Sequence, residues 1–303
     1  MLSYLHGFHA GNSADVLKHC LLVFCIAYLK QKEKPLLCVD THSGSGFYDL
    51  GGGQNREWEK GLGLLLEERG NLPAMLEQYI DLSLPDSNNG RLQYRGSSVI
   101  MARMLKKGDR LVCFEMHPRE ANSLEQVMRL EQNVRDKDVP SINLRKEDGL
   151  AGLKSLLPPP SRRALIFIDP PWERKDEYEN VPRFLQTALK RFPEGTYIVW
   201  YPLLTQPKET SIGLPPVQDT LFGLTDGKKC RVELHALPPP SANSEHAHGT
   251  QTHSPRGMHG SGLVIFNPPW TLRAACEENL PFLAKILGGT EAGWRLDTAG
   301  INS

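Results

Sequence analysis

Short apolar runs alternate with amphipathic stretches over most of the chain. The apolar runs of strand length occupy residues 35–40, 110–115, 141–145, 164–169 and 196–201. Stretches with apolar positions at helical spacing occupy residues 14–30, 97–106, 118–134, 150–156 and 180–191. Strands and helices that alternate in this way favour an α/β fold with a mostly parallel sheet covered on both faces. Two later runs, 230–237 and 262–266, lack a connecting helix pattern, so we expect an antiparallel pair at one edge of the sheet.

Two segments interrupt this alternation. Residues 47–94 separate the first strand from its helix and contain amphipathic stretches at 57–68 and 73–82, which predicts a helical insertion. Residues 238–260 are rich in Pro, Ser, Gly and His, a composition typical of a mobile loop. We therefore expect one domain built from residues 1–46 and 95–303, with 47–94 as an inserted helical subdomain.

Composition narrows the functional class. The 303 residues include 35 Lys+Arg and 35 Asp+Glu, so the net charge is zero, which argues against nucleic-acid binding through overall basicity. The longest apolar run, 20–28, is too short to span a membrane, and six scattered cysteines favour a reduced, cytoplasmic chain. Four histidines lie in the Pro- and Ser-rich loop without a Cys partner, so we expect no metal. Two local cationic clusters are candidate nucleic-acid contacts: Arg103, Lys106, Lys107 and Arg110, and Arg162, Arg163, Arg174 and Lys175.

Acidic residues follow three successive predicted strands. The first strand ends in Asp40-Thr-His-Ser-Gly44-Ser-Gly46, which fits a loop that cradles S-adenosylmethionine better than a dinucleotide fingerprint, because Asp49 occupies the third glycine position. Glu115 can accept both ribose hydroxyls, and Asp148 can accept the adenine amino group. Glu115 taken singly could equally be a solvated acid at a strand end. Together at three strand ends, the three acids favour one adenosyl ligand.

The fourth strand is followed by Asp169-Pro170-Pro171-Trp172, a pattern typical of enzymes that methylate an exocyclic amino nitrogen. The Asp169 carboxylate and the Pro170 carbonyl can each accept a hydrogen bond from the amino group, which directs the nitrogen lone pair at the methyl donor. Trp172 is expected to offer a face on which the target base stacks. A purely structural Pro-Pro turn would explain neither the acid nor the aromatic residue. Asn267-Pro-Pro-Trp270 matches a looser pattern but follows the last run, so we expect Asn267 to lie away from the methyl group.

These motifs resemble the ribosomal RNA large-subunit methyltransferase J family, whose members N6-methylate an adenine of 23S rRNA. The resemblance covers essentially the whole chain in consistent order. It rests on Met1-Leu-Ser-Tyr4, Phe8-His9-Ala-Gly-Asn12, Ala14-Asp15-Val-Leu-Lys18-His19, Asp40-Thr-His42, Gly96-Ser97, Glu115-x-His117-Pro118, Asp148-Gly149, Asp169-Pro-Pro171, Trp200-Tyr201-Pro202, Gly257-Met258 and Asn267-Pro-Pro-Trp270. Trp172 departs from the Tyr that is familiar in this family.

The resemblance implies a class I, Rossmann-like methyltransferase with a mostly parallel seven-stranded sheet and an inserted helical subdomain. It implies S-adenosylmethionine as cofactor and naked or partly assembled 23S rRNA as partner, with no membrane and no obligate protein partner. Asp169, Pro170 and Trp172 are the expected catalytic residues, and Tyr4 the expected RNA contact. The expected cofactor pocket comprises Lys18, His19, Asp40, His42, Gly44, Ser97, Glu115, Asp148, Gly149 and Asp169.

Two alternatives remain open at this point. The Asp-Pro-Pro-aromatic motif alone does not distinguish RNA from DNA, so the chain could be a DNA adenine-N6 methyltransferase. It could also be a DNA-binding protein linked to the catabolism of external DNA, although the sequence offers no carboxylate cluster for metal-dependent hydrolysis.

Overall fold

In the computed structural model, the described residues are 7, 9–51, 56–85, 92–134, 138–236, 257–289 and 292–301. The strands are β1 (Leu37–Asp40), β2 (Phe47–Asp49), β3 (Gln93–Arg95), β4 (Arg110–Phe114), β5 (Ser141–Arg145), β6 (Ala164–Ile168), β7 (Thr196–Leu204), β8 (Lys229–His235), β9 (Met258–Phe266) and β10 (Gly293–Ala299). The α-helices are α1 (Ser13–Lys30), α2 (Leu62–Glu67), α3 (Ala74–Ser83), α4 (Ser97–Met104), α5 (Pro118–Val134), α6 (Gly149–Gly152), α7 (Glu177–Arg191), α8 (Val217–Phe222) and α9 (Leu272–Gly288).

The main sheet has the strand order β10-β8-β9-β7-β6-β1-β4-β5 among the described residues. The five strands from β5 to β7 run parallel, β9 runs antiparallel to both β7 and β8, and β10 runs antiparallel to β8. The mostly parallel α/β sheet and the antiparallel β8–β9 pair are thus confirmed. The expected seven strands become eight, because β10 pairs outside β8 and takes the edge position.

Helices cover both faces of the central strands, whose residues are therefore mostly apolar. All five residues of β6 and all four of β1 are buried, the latter including the carboxylate of Asp40. Twelve of the 18 residues of α1 are buried, because this helix contacts α3, α4, α9 and β9. None of the described helices is long and apolar enough to cross a membrane.

Parallel pairing brings the C-terminal ends of successive strands to one end of the sheet, which we call the carboxyl end. Asp40, the last residue of β1, is level with Cys113 of β4 and Phe167 of β6. The loops after β1, β4, β5 and β6 therefore meet at the carboxyl end, the place where open α/β sheets bind ligands. The opposite side, where these strands begin, is called the amino end below.

The described part of residues 47–94 contains β2 and β3, a 3₁₀ turn at Glu57–Lys60, α2 and α3. β2 and β3 pair antiparallel as a separate two-stranded sheet. α3 packs against α1 and α4, and α2 packs against α9. This segment thus lies on the same face of the main sheet as α1.

Candidate active site

The loop after β1 is organised around the buried carboxylate of Asp40. Its Oδ2 accepts a hydrogen bond from Ser97 Oγ at 2.7 Å, and its Oδ1 accepts one from the His42 amide at 3.3 Å. Burial raises the pKa of Asp40 to about 7, although the bonds from Ser97 and His42 lower it and the carboxylates of Asp169 and Glu115 raise it further. Asp40 therefore titrates near neutral pH in the absence of a cationic ligand.

Glu115 joins the β1 loop to the end of β4. Its Oε2 accepts the Gly44 amide at 2.8 Å, and its Oε1 accepts the His117 amide at 2.7 Å. Gly44 has φ +60°, a left-handed conformation that favours glycine. Burial raises the pKa of Glu115, while the two backbone hydrogen bonds oppose this shift. Each carboxylate oxygen has a second lone pair, so both remain able to accept a ribose hydroxyl.

The loop after β5 supplies Asp148 and Gly149. Asp148 is exposed and begins α6 by accepting the Ala151 amide at 2.9 Å. A Cβ atom on Gly149 would lie 2.3 Å from the Thr41 carbonyl oxygen, so only glycine allows α6 to approach the β1 loop this closely. His42 lies between these loops: burial lowers its pKa, while Asp169 and Asp148 raise it.

Asp169 follows β6 at the carboxyl end and is 12% exposed. Its Oδ2 accepts a hydrogen bond from Lys18 Nζ at 2.8 Å. The same ammonium lies 2.9 Å from Asp15 Oδ1 and 4.8 Å from the ring centroid of Trp200. Lys18 was expected in the cofactor pocket, and this role stays a prediction. Its contacts attach the N-terminal half of α1 to the Asp-Pro-Pro turn.

Trp172 does not offer a stacking face, and that expectation is wrong. The side chain is 1% exposed, lies at 5.0 Å from the Tyr178 ring, and donates from Nε1 to the Trp200 carbonyl at 2.9 Å. Its own carbonyl accepts hydrogen bonds from Lys208 Nζ at 3.0 Å and from Tyr178 Oη at 3.4 Å. Because φ is +52°, the backbone reverses here and turns the indole into the core. Trp172 therefore anchors the turn rather than contacting a base.

His19 makes a separate set of contacts. His19 is 2% exposed, and its Nδ1 is hydrogen-bonded to Tyr94 Oη, which lies 3.2 Å from Tyr79 Oη. The cofactor contact implied for His19 stays a prediction. Tyr4, the predicted RNA contact, lies outside the described residues. The carboxyl end thus brings together Asp40, His42, Gly44, Ser97, Glu115, Asp148, Gly149, Asp169 and Lys18.

Three residues that contact this site were given no role in the sequence analysis. Asp15 precedes Lys18 by one helical turn, and that spacing was the available signal for an ion pair. Trp200 occurs in the quoted Trp200-Tyr201-Pro202 motif but had no assigned role. Lys208 carries no sequence signal, because its partners are the backbone carbonyls of Trp172 and Glu173 in a distant loop.

The two cationic clusters do not form patches beside Asp169. Arg110 begins β4, so it and the preceding lysines lie at the amino end, and Arg103 is paired with Glu131. The second cluster is divided between the two ends, because Arg162 and Arg163 precede β6 whereas Arg174 and Lys175 follow it. Arg174 is moreover paired with Asp176 at 2.6 Å. For the second cluster, residues that are close in sequence therefore do not share one surface.

Asn267 lies at the amino end, as expected. It follows Phe266, which is level with Tyr197 near the start of β7. Its Nδ2 donates to the carbonyls of Pro193 at 2.6 Å and Gly195 at 2.8 Å, so its role in the described structure is to close the β9 turn. Within the described ranges, no group of three or more His, Cys, Asp or Glu side chains is arranged to hold a metal ion.

A mostly parallel sheet with acids at its carboxyl end and an Asp-Pro-Pro turn after β6 defines a Rossmann-like methyltransferase. The family model "Ribosomal RNA large subunit methyltransferase D, RlmJ" matches residues 33–299. The chain belongs to this family.

Similar proteins agree with this membership. Two proteins named ribosomal RNA large subunit methyltransferase J are each 36% identical to this chain. The one from Haemophilus influenzae aligns over 95% of this chain and 94% of its own length, and the one from Escherichia coli over 93% of both. A crystal structure of a Legionella pneumophila protein superposes with a TM-score of 0.81 at 32% identity, covering 96% of this chain and 98% of that one. The likeness therefore extends over nearly the full length.

Proposed function

We propose that this chain transfers the methyl group of S-adenosylmethionine to the N6 amino group of an adenine in 23S rRNA. The observation that carries the proposal is the Asp169 carboxylate, bound by Lys18 at 2.8 Å at the carboxyl end of the sheet, beside the loops of Asp40 and Glu115. Membership in an rRNA large-subunit methyltransferase family supports RNA as the substrate and gives no support to the two DNA-related alternatives.

The loops at the carboxyl end fit an adenosyl cofactor. Gly149 lets α6 approach the β1 loop, and Gly44 takes a positive φ, so backbone rather than side chains would face the ligand at these two positions. Glu115 would hold the ribose hydroxyls, Asp148 the adenine amino group, and Asp40 the cationic methionine part. His42, Ser97, Lys18 and His19 would complete the pocket. When bound, S-adenosylmethionine supplies an electrophilic methyl group on a sulfonium centre.

Asp169 and the Pro170 carbonyl would orient the target nitrogen. Lys18 binds Oδ2 of Asp169, and the second oxygen, Oδ1, can accept one N–H of the adenine amino group. The Pro170 carbonyl would accept the other N–H, which draws the nitrogen out of conjugation and aims its lone pair at the methyl group. The Asp169 carboxylate would stabilise the positive charge that develops on the nitrogen as the methyl–sulfur bond breaks, and the nitrogen would then lose one proton to solvent. The anchored Trp172 would hold this turn rigid. Rigidity matters here because the rate depends mainly on the placement of the reacting atoms.

The substrate would be naked or partly assembled 23S rRNA in the cytoplasm, without an obligate protein partner. A paired adenine must leave its stack to reach Asp169, which costs a few kcal/mol, so an accessible adenine is favoured. Zero net charge predicts local recognition of RNA shape rather than general affinity for polyanions. Tyr4 would contact the RNA, and residues 47–94 would act as an inserted helical subdomain.

Radiolabelled methyl transfer tests this proposal. Protein-free 23S rRNA, assembled large subunits and DNA of equivalent sequence are offered with labelled S-adenosylmethionine, and incorporation is measured for each. We expect label in naked rRNA, little in assembled subunits and none in DNA. Equal incorporation into DNA, or the absence of incorporation into any RNA, would overturn the proposal.

A further inference from the structure

A chain of buried charges connects the first turns of α1 to the Asp-Pro-Pro turn. Asp15 is 1% exposed, Lys18 is 3% exposed, and the Lys18 ammonium lies 2.9 Å from Asp15 Oδ1 and 2.8 Å from Asp169 Oδ2. Asp15 is itself held in place, because its Oδ2 accepts the Gly11 amide at 2.9 Å and its own amide donates to Asn12 Oδ1 at 3.0 Å. The carboxylate of Asp15 is therefore a fixed point against which Lys18 is positioned.

The ammonium of Lys18 is shared between two acids. It has three N–H donors, of which one can point to each carboxylate, while the Trp200 ring centroid lies 4.8 Å away. Asp15, Lys18 and Asp169 together carry a net charge of −1. Without Asp15, more of the ammonium's charge would be directed at Asp169, and the Asp169 carboxylate would lose much of its electrostatic effect on an approaching group.

We propose that Asp15 is a positioning residue that acts on Asp169 through Lys18. Asp15 holds the ammonium at the Oδ2 side of Asp169, which directs Oδ1 toward the adenine amino group. By sharing the cation, Asp15 also keeps net negative charge at Asp169, where positive charge develops on the attacking nitrogen. This inference rests on the proposed function, since it assigns Asp15 a part in the same methyl transfer.

The test compares Asp15→Asn with a matched control, Asp109→Asn. Asp109 is also a buried acid, 3% exposed, paired with a lysine (Lys30), and it accepts two backbone amides. It lies just before β4 at the amino end, away from Asp169. Both variants are assayed for melting temperature, for kcat, and for KM of S-adenosylmethionine and of 23S rRNA. Asp15→Glu is included because it restores a carboxylate and keeps the test decisive should Asp15→Asn not fold.

We expect kcat of Asp15→Asn to fall about 10- to 100-fold, the size of effect that follows from misplacing a reacting group by up to ~1 Å. Both KM values should stay close to wild type, and Asp15→Glu should recover most of kcat. Asp109→Asn should lose thermal stability with unchanged kcat. Wild-type kcat in Asp15→Asn, equal losses of kcat in the two Asn variants, or a folded Asp15→Glu with kcat lowered 10-fold or more would overturn the inference.

These outcomes are distinct from a failure of the proposed function. A wild-type chain without methyl transfer to RNA would contradict the function itself. An active wild-type chain with an equally active Asp15→Asn variant would contradict only the role of Asp15.

Discussion

We expect the buried Asp40 to make cofactor affinity depend on pH near neutrality. Its pKa is raised from 3.8 to about 7, chiefly by burial, so in the free protein it gains its negative charge as the pH rises through that value. S-Adenosylmethionine carries two positive groups, a sulfonium and an ammonium, and one negative carboxylate. An ionised Asp40 would therefore attract its net positive charge. A group with a pKa of about 7 is roughly 9% ionised at pH 6 and roughly 91% at pH 8. Affinity should therefore rise about 10-fold over this range, or ~1.4 kcal/mol.

Calorimetric titration of the chain with S-adenosylmethionine at pH 6, 7 and 8 measures this effect. Asp40→Asn is the control, because it keeps the shape of the side chain but cannot ionise, and any remaining pH dependence belongs to other groups. Ser97→Ala removes a hydrogen bond that lowers the pKa of Asp40, so the midpoint should move to higher pH. A wild-type affinity that varies with pH no more than that of Asp40→Asn would refute the reasoning.

Three further substitutions have expected outcomes. Gly149→Ala should weaken cofactor binding and lower stability by about 1–3 kcal/mol, because its Cβ would overlap the neighbouring carbonyl; titration and thermal melting check this. Trp172→Phe should cost about 1 kcal/mol of stability and lower kcat, because the indole N–H no longer anchors the turn; a variant with wild-type kcat would show that the anchor is dispensable. Asn267→Ala should cost about 1–3 kcal/mol yet leave kcat and both KM values unchanged, since Asn267 lies at the amino end; a drop in kcat would contradict this location.

Hydrophobic periodicity predicted the central elements well, because every residue of the central strands β1 and β6 is buried. The predicted helix at 118–134 has the bounds of α5, and the buried strands β1 and β6 appear as continuous apolar runs. α9 and β10 were missed. Pro281 interrupts the helical pattern of α9, and the half-exposed residues of β10 show no continuous apolar run. Their structure depends on pairing with β8 and packing against the sheet, which no local pattern reports.

Part of the candidate site could also be predicted from the sequence. Asp40, Glu115 and Asp148 could be grouped because parallel strands bring their C-terminal ends to one place. The burial of Trp172 could not be foreseen, since it depends on the carbonyl of Trp200, 28 residues away, and on a positive φ. For the cationic clusters, the decisive information was which end of the sheet each residue occupies, and this follows from strand bounds rather than from charge.

The central claim is that the Asp169 carboxylate accepts a hydrogen bond from the N6 amino group of an adenine during methyl transfer. Its most direct test is the nucleoside composition of 23S rRNA after reaction with the wild-type chain or with Asp169→Ala, measured by mass spectrometry after digestion. The account predicts N6-methyladenosine from the wild type and none from Asp169→Ala, with both proteins saturated with S-adenosylmethionine at concentrations set by calorimetry. Formation of N6-methyladenosine by Asp169→Ala at the wild-type rate would contradict it.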